Sequence, residues 1–402
     1  MLKKILIITQ NFYPVIGSAG NRMKNLYHFL REKNFKVTVL TTEPAYPNKE
    51  LYDQPYFWDD DALNEAEEHI IRVAINRRHD GKSLLNRLFF YVEMMFRFFR
   101  TLWSLRKQSF DYLYVSSPPI FIVFTAIIGK WLTKATLILE VRDLWPDSLL
   151  GVKKFQNKWI IRLCRWAEKM MYHQANMIVI NSTGFAAHIE QEESTKAKKL
   201  IYLPNGARQH ELTKSKRQDD CFRVVYTGNV GLAQNIDRLK KFAQRLHERN
   251  MQFDIVGYGY WLEHFCQFVN EQKLTNVHIH QPTTRNQCLQ LIKQSDVAVA
   301  FLNDHRVFST VLPGKLIDYM ICQTPIVAGL TGVAADTIIK NNIGYVFPQQ
   351  NVDDMIQQIE TIKKEPALKK QLQQNCYKTV KRDYLWENNI ENLMKEIATP
   401  TS

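Results

Sequence analysis

Residues 308–329 read FSTVLPGKLIDYMICQTPIVAG and contain both a helix start and a strand. A proline and a glycine precede an apolar helical stretch, Lys315 follows them directly, and the later run PIVAG has the composition of a buried strand. Free N–H groups at a helix start favour an anion, and a lysine beside them strengthens that preference. The stretch therefore predicts one helix–strand step of an α/β sheet with an anion site at its turn.

The same alternation of strand and helix continues along the whole chain. Apolar, β-branched runs form a first series at residues 4–9, 36–41, 111–116, 136–141 and 177–180, and a second at 222–227, 253–257, 277–280, 297–301 and 325–329. Continuous apolar strands separated by helices indicate parallel sheets covered on both faces. We therefore predict an α/β protein with two Rossmann-like, doubly wound parallel-sheet domains.

A polar, turn-rich segment at residues 203–220 separates the two series of strands and is typical of a linker. The predicted organisation is a first domain at 1–205, a linker at 206–220, a second domain at 221–380, and a C-terminal helix at 381–402 that packs back on the first domain.

The composition predicts a globular cytoplasmic protein that meets an acidic partner. Six cysteines without zinc or disulfide spacing indicate a reducing compartment, and the longest uncharged apolar run, residues 118–129, is far below the ~20 residues of a membrane span. The net charge of +13 fits nucleic acid, anionic lipid or a phosphorylated substrate. Because no zinc motif, aromatic RNA-binding signature or basic arm accompanies it, a nucleic-acid partner is disfavoured.

Seven of the 15 glycines fall at predicted strand-to-helix turns, where a small residue lets the backbone approach a phosphate: Gly17, Gly20, Gly228, Gly231, Gly257, Gly259 and Gly314. For any one of them, a tight turn is the alternative explanation. Lys315 and Asp318 stand three residues apart on one helix face, so a nucleoside diphosphate could place its phosphates on the lysine and its ribose diol on the carboxylate. An ordinary surface ion pair is the alternative.

With EVRDLWPDS (140–148), LPNG (203–206), YTGNVGLAQNID (226–237), DIVGYG (254–259) and LPGKLIDYMICQTPIVAG (312–329), the chain resembles family 4 glycosyltransferases. These enzymes have the GT-B fold, two Rossmann-like domains facing across a cleft, and the similar branch contains bacterial N-acetylfucosamine transferases of O-antigen and capsule synthesis. The resemblance implies an acceptor-binding first domain, a second domain that binds a UDP-sugar, and transfer with retention.

The resemblance also implies roles for particular residues. Lys315 would hold the donor diphosphate, Asp318 would replace the usual glutamate at the ribose, and Arg142 and Asp143 would complete the catalytic set. Asp143 would orient the acceptor hydroxyl or act as a base, with capping of its own turn as the alternative. The remaining donor-binding set is Gly17, Gly20, Arg22, Gly228, Asn229, Gly231, Gly257, Gly259, Asn303, Pro313, Gly314 and Leu316.

One departure from the family concerns its two glutamates eight positions apart, which fall on Thr310 and Asp318. The first carboxylate is therefore missing, and Asn303 and Asp304 are candidates to contact the donor sugar in its place. The histidine and carboxylate positions form no obvious ligand cluster in the sequence, which predicts no metal and no cofactor, with Lys315 and helix N–H groups meeting the charge of the leaving diphosphate.

Two helical stretches carry aromatic and basic side chains together. The stretch 84–107 is apolar on most of its circumference and bears Arg97, Arg100 and Trp103, while Lys158, Arg162 and Arg165 share one face of the stretch 154–173. Such helices suit an anionic bilayer surface, although a buried helix and a solvated face are the alternatives. Lipid contact would predict a peripheral protein at the inner face of the cell membrane and a lipid-linked saccharide acceptor. A nucleotide-sugar epimerase is the competing enzyme class.

Overall fold

The computed structural model describes residues 2–76, 84–151, 157–192, 195–213, 221–348 and 351–398. The chain divides into two compact units, a first unit of Met1–Leu203 with Ile390–Ser402 and a second unit of Pro204–Asn389. Residues 206–213 of the segment predicted as a linker thus belong to the second unit, and residues 214–220 lie outside the described residues. The predicted C-terminal helix divides between the units at residue 390.

Each unit is built on one parallel sheet. The strands of the first unit are β1 (Lys4–Ile8), β2 (Lys36–Thr42), β3 (Ile70–Val73), β4 (Tyr112–Ser117), β5 (Thr136–Val141), β6 (Met177–Ile180) and β7 (Lys199–Tyr202), in the order β3-β2-β1-β4-β5-β6-β7. Those of the second unit are β8 (Arg223–Asn229), β9 (Gln252–Tyr258), β10 (Val277–His280), β11 (Val297–Phe301), β12 (Ile326–Gly329) and β13 (Gly344–Val346), in the order β10-β9-β8-β11-β12-β13. Two doubly wound α/β sheets were predicted, and this prediction is confirmed.

Helices connect these strands. The first unit has α1 (Ser18–Glu32), α2 (Asp61–Glu65), α3 (Leu84–Leu105), α4 (Ile120–Thr133), α5 (Asp147–Gly151), α6 (Lys158–Gln174) and α7 (Ala186–Glu190). The second has α8 (Ile236–Glu248), α9 (Leu262–Glu271), α10 (Arg285–Lys293), α11 (Gly314–Ile321), α12 (Gly332–Lys340), α13 (Val352–Lys364) and α14 (Pro366–Asp383), and α15 (Trp386–Ala398) crosses the boundary. Short 3-10 turns lie at Lys49–Asp53, Pro55–Phe57, Glu67–His69, Thr183–Phe185, Gln209–Glu211 and Arg306–Thr310.

The central strands form because their residues are apolar on both sides of the pleat. All five residues of β11, VAVAF, are buried, as are all four of β12, since helices cover both faces of the sheet. Three strands, β3, β7 and β13, were not predicted from the sequence; they are short outer strands of their sheets and are only partly buried. Edge strands need less apolar surface, so their sequences carry a weaker signal.

Because all strand pairs in the two sheets are parallel, each sheet gathers the carboxyl ends of its strands along one edge. In the second unit this edge carries the turn after β8, and in the first unit it carries the turns after β1 and β5. Ligands of open parallel sheets bind beyond this edge, which is where each unit is expected to hold its site residues. Within the described part of the chain, no helix is both long and apolar enough to cross a bilayer.

Candidate active site

Lys315 is the second residue of α11 and is the central group of the second unit's site. Its ammonium nitrogen is buried, lies 3.8 Å from the centre of the Tyr226 ring, and has no hydrogen-bond partner among the described residues. Burial lowers the pKa of Lys315 to about 7, although Cys288 and Asp318 favour its charged form. A buried ammonium without a partner is costly, and an anion bound beside it would remove that cost.

The turn after β8 brings backbone to this ammonium. Gly228 has φ +97°, in the region that favours glycine, and a Cβ there would lie 3.8 Å from Lys315 Nζ. Gly259 after β9 has φ +122°, and a Cβ would lie 2.0 Å from Asn229 Oδ1, so only glycine fits. The N-terminus of α11, with Pro313 at its N-cap and Gly314 as its first residue, adds N–H groups that favour an anion. This arrangement can hold a phosphate group against Lys315.

Other predicted donor residues of the second unit have structural contacts. Gly257 is buried and pairs with Gly228 in the sheet register, and Gly231 lies against the Asn229 side chain. Asn303 donates from its amide to the Leu232 carbonyl at 2.8 Å, which braces the turn after β8. These residues shape the turn that borders Lys315.

The prediction that Leu316 contacts the donor does not fit the structure. Its side chain is fully buried in the core of the second unit, and its N–H donates to the Pro313 carbonyl at 3.0 Å. Helical periodicity explains this, because Leu316 points to the sheet when Lys315 points to the turn.

The two positions connected with the missing family glutamate also have partners. Asp304 is paired with Arg238 at 2.9 Å, and the Thr310 hydroxyl donates to the Val307 carbonyl at 2.7 Å.

Asp318 lies one turn along α11 from Gly314, and its side chain is about a quarter exposed, at 27%. Its Oδ1 accepts a hydrogen bond from Arg285 at 2.9 Å, and Arg285 is also paired with Glu211. Burial raises the pKa of Asp318, and the Arg285 guanidinium opposes that rise. Arg285 was not predicted from the sequence, because it is 33 residues from Asp318 and reaches it through the packing of α10 against α11.

In the first unit, Gly17 is the N-cap of α1 with φ 95°, and Gly20 packs inside the helix start. A Cβ on Gly20 would lie 1.9 Å from the Val15 carbonyl oxygen, so this glycine permits the close packing of the turn after β1. Gly20 is buried, which does not fit its predicted approach to a phosphate. Gly17 is exposed at the turn.

Arg22 does not fit the prediction of a phosphate ligand. Its side chain is 1% exposed, its Nε donates to Glu140 Oε1 at 2.7 Å, and its Nη2 donates to the Leu203 carbonyl at 2.7 Å. Glu140 is itself fully buried and also accepts from Tyr114 and Ser116, at 2.6 and 2.7 Å. Arg22 is therefore half of a buried ion pair, a position that the sequence motif alone did not distinguish from a ligand position.

Arg142 and Asp143 follow β5 directly, and Arg142 lies next to the buried pair of Arg22 and Glu140. The Arg142 guanidinium donates to Ser116 Oγ at 2.7 Å and to the Pro118 carbonyl at 3.3 Å, while Glu140 lies 3.5 Å away. Burial raises the pKa of Asp143, and hydrogen bonds from Ser148 and the Leu144 N–H oppose that rise. The roles of Asp143 as base, as orienting group or as cap of its own turn stay predictions.

Three neighbouring helices of the first unit, α3, α4 and α6, expose large apolar side chains, which we call the apolar surface. Its members are Leu88, Phe89, Phe96, Trp103, Ile128, Trp131, Trp159, Ile160, Leu163 and Trp166. On α6 the exposed fraction reaches 75% at Trp159 and 63% at Leu163, so the aromatic face of this helix is not packed into the core. Exposed apolar surface of this kind is typical of interaction sites in other proteins.

The basic residues predicted beside that surface differ in their availability. Lys158, Arg162 and Arg100 are exposed, and Arg162 lies over the Trp159 ring. Arg165 is instead paired with Asp147 and Glu168, which does not fit a free charge for a lipid headgroup. Arg97 pairs with Glu93 at 2.8 Å, four residues before it on the same helix.

Within the described residues, no three His, Cys, Asp or Glu side chains form a group that could hold a metal ion. The prediction of a mechanism without metal or cofactor stays a prediction.

Two solved structures share this architecture over almost their whole length. Sucrose-phosphate synthase from Thermosynechococcus elongatus superposes with a TM-score of 0.73 at 14% identity, covering 99% of this chain and 100% of that chain. HepE of Anabaena, solved with UDP and glucose, gives 0.68 at 13% identity and covers 98% and 99%. The fold is GT-B, as the sequence motifs predicted.

The family described as glycosyl transferases group 1 matches residues 207–379, and the glycosyl transferase 4-like domain matches residues 17–206. The chain therefore belongs to the glycosyltransferases. A putative colanic acid biosynthesis glycosyl transferase, WcaI of Escherichia coli (strain K12), is 22% identical over 331 residues, which is 78% of this chain and 80% of that protein. Both halves match transferase families, which disfavours the epimerase alternative.

Proposed function

We propose that this glycosyltransferase moves a sugar from a UDP-sugar to a lipid-linked saccharide acceptor during surface polysaccharide synthesis. The observation that carries the donor half is Lys315, whose buried ammonium has no hydrogen-bond partner among the described residues and lies beside the Gly228 turn and the start of α11. A diphosphate supplies the missing countercharge. HepE was solved with UDP, which supports a uridine nucleotide as the carrier of the donor sugar. WcaI is described as a colanic acid biosynthesis enzyme, which supports a surface polysaccharide as the product.

The proposed chemistry breaks the bond between sugar C1 and the diphosphate oxygen and forms a bond from C1 to the acceptor oxygen. Lys315 and the α11 N–H groups stabilise the negative charge that develops on the diphosphate, which is electrostatic catalysis without metal. The acceptor proton passes to the leaving phosphate on the same face of the sugar, which retains the anomeric configuration. Asp143 and Arg142 would orient the acceptor. The transferred sugar is proposed to be an N-acetylated hexosamine or deoxyhexosamine.

The donor is tested by thermal unfolding with UDP, GDP, ADP and UMP at equal concentration. A ligand that binds only the folded protein stabilises it by about 2.7 kcal/mol at 100 times its Kd. We expect UDP to raise the melting temperature most and UMP to raise it less, because UMP lacks the second phosphate. A larger shift with GDP or ADP would contradict the uridine assignment, and no shift with any nucleotide would contradict the donor site.

Transfer is tested with UDP-N-acetylglucosamine and a polyprenyl diphosphate-linked saccharide in the presence of EDTA. UDP release that depends on the saccharide acceptor, with an α-linked product by NMR, supports the acceptor class, retention and metal independence. Release that depends on added Mg²⁺ or Mn²⁺ would contradict the mechanism without metal.

The acceptor half of the proposal rests on the apolar surface and its exposed cations. Tryptophan and leucine side chains enter the headgroup boundary of a bilayer while lysine and arginine attract anionic lipid. A peripheral position at the inner face of the membrane would bring the enzyme to a lipid-linked acceptor. Trp159 and Arg162 on α6 combine both kinds of side chain on one exposed helix turn.

Vesicle binding provides the test of this surface. We expect the double variant Trp159→Ala, Trp166→Ala to bind phosphatidylglycerol-containing vesicles about tenfold more weakly than the wild type in a flotation assay, because it removes two interfacial tryptophans. Tyr260→Ala is the matched control, since Tyr260 is 47% exposed but lies in the second unit. Wild-type protein that fails to float with anionic vesicles would contradict the membrane proposal.

A further inference from the structure

Arg285 forms a three-residue ion-pair network with two carboxylates that lie on different elements of the second unit. It is the first residue of α10, and Thr284 caps this helix start. Its Nη1 donates to Asp318 Oδ1 at 2.9 Å, its Nε donates to Glu211 Oε1 at 2.5 Å, and its Nη2 donates to Glu211 Oε2 at 3.3 Å.

Glu211 holds the Arg285 side chain in place. It is buried, and its Oε2 also accepts the Arg208 N–H at 2.8 Å, which closes a capping box in the 3-10 turn Gln209–Glu211. The two bonds to Glu211 leave the Arg285 guanidinium little freedom to rotate, because a forked pair fixes the plane of the group. The fixed guanidinium therefore donates its third hydrogen bond to Asp318 from a defined position.

The hydrogen bond from Arg285 occupies one of the two oxygens of the Asp318 carboxylate. Oδ1 accepts from Arg285, while in the described part of the chain no hydrogen bond reaches Oδ2. Asp318 and Lys315 lie on one face of α11, one turn apart, and Asp318 keeps 27% of its side chain exposed. A carboxylate held at one oxygen has its second oxygen available to accept hydroxyl hydrogens.

We propose that Arg285 is a positioning residue that fixes Asp318 to accept the ribose hydroxyls of the donor nucleotide. This inference rests on the proposed UDP-sugar site and adds to it the residue that orients the ribose contact. Arg285 acts through Asp318, so its loss frees the Asp318 carboxylate to rotate away from the diol.

Electrostatics act in the same direction as the geometry. Burial raises the pKa of Asp318, and the Arg285 charge is the largest influence that opposes the rise. Without Arg285, the carboxyl group is shifted toward its protonated form, which is a weaker acceptor for a hydroxyl. Glu211 alone would then repel Asp318 as a second negative charge in the same cluster.

The test compares UDP with 2′,3′-dideoxy-UDP, which keeps the diphosphate but lacks both ribose hydroxyls, by calorimetric titration. We expect the wild type to bind UDP at least about tenfold more tightly than the dideoxy compound, since a site built for a hydroxyl rejects its absence. In Arg285→Met we expect UDP affinity to fall about tenfold and dideoxy-UDP affinity to change less than about threefold. Arg249→Met is the matched control, an arginine paired with Glu360 in the same unit, and should change neither affinity.

The outcomes separate this inference from the donor proposal. Wild-type protein that binds neither compound contradicts the UDP site itself and with it the role of Arg285. Wild-type protein that discriminates between them, combined with an Arg285→Met variant that loses both affinities equally or neither, overturns the positioning role alone. If Arg285→Met does not fold, Glu211→Gln weakens the anchor but keeps the guanidinium; its UDP preference should fall about threefold or more, and an unchanged preference would overturn the inference.

Discussion

The Lys315→Met variant is expected to bind UDP about 100-fold more weakly than the wild type at pH 7, a loss typical of removing a charged partner from a buried phosphate contact. Lys315 Nζ has no hydrogen-bond partner in the described residues and lies beside Gly228 and the start of α11. Methionine has a similar length without the charge, so the change removes the electrostatic contact and keeps most of the packing. Calorimetric titration with UDP measures the affinity.

The same variant is expected to be more stable than the wild type without ligand. The pKa of Lys315 is lowered from 10.5 to about 7 by burial, so the folded protein binds this proton less tightly than the unfolded chain does. The destabilisation is absent above pH 10.5, grows as the pH falls, and is complete below about 7. Allowing for the partly exposed stem, we expect Lys315→Met to gain about 2 kcal/mol of unfolding free energy at pH 6 and less at pH 9.

Proton uptake gives an independent measurement on the wild type. At pH 8 Lys315 is largely neutral in the free protein, whereas a bound diphosphate favours its charged form, so UDP binding should take up a proton. Titrations in buffers of different ionisation enthalpy count that proton, and the uptake should vanish in Lys315→Met. Lys293→Met is the control, because Lys293 is a surface lysine bonded to Thr213 in the same unit. Equal UDP affinity in wild type and Lys315→Met would refute the phosphate role.

The second large effect is expected at Glu140. Glu140→Gln should lower the free energy of the transition that unfolds the first unit by about 3–5 kcal/mol, the usual result of removing one partner from a buried ion pair. The carboxylate accepts from Arg22, Tyr114 and Ser116, and Arg22 is 1% exposed. Glutamine would remove the negative charge that faces Arg22 and would turn an amide N–H toward groups that already donate.

Urea unfolding at pH 7 measures this loss, with Glu93→Gln as the control. Glu93 pairs with Arg97 on α3 and accepts the Asn76 N–H at 3.0 Å through Oε1, an oxygen that glutamine keeps, so its change should cost less than about 1 kcal/mol. Burial acts to raise the pKa of Glu140, but the charges of Arg22 and Arg142 help to lower it overall. The stabilisation that Glu140 provides is therefore present above the ordinary glutamate pKa and is lost as the pH falls through the lowered value. A stability equal to that of the wild type would show that Arg22 and Glu140 are not a coupled pair.

The sequence by itself determined the architecture and predicted the chemical character of the candidate donor site. Apolar strands alternating with helices require parallel sheets, since such strands are stable only when both faces are covered. A proline and a glycine followed by Lys315 predict an anion site, because helix N–H groups and an ammonium are properties of local structure. The motifs were also sufficient to place the chain among the GT-B glycosyltransferases.

Only the tertiary structure decided which polar residues are free to bind and which are held. Arg22 and Arg165 are basic residues in motif-like positions, yet Glu140 and Asp147 neutralise them across long sequence separations. Arg285 carries no local signal and reaches Asp318 because α10 packs beside α11. The exposure of Trp159 was likewise undecided, since a helix with aromatic and basic faces can bury either one. Pairing and burial depend on contacts between distant segments, which local sequence patterns do not specify.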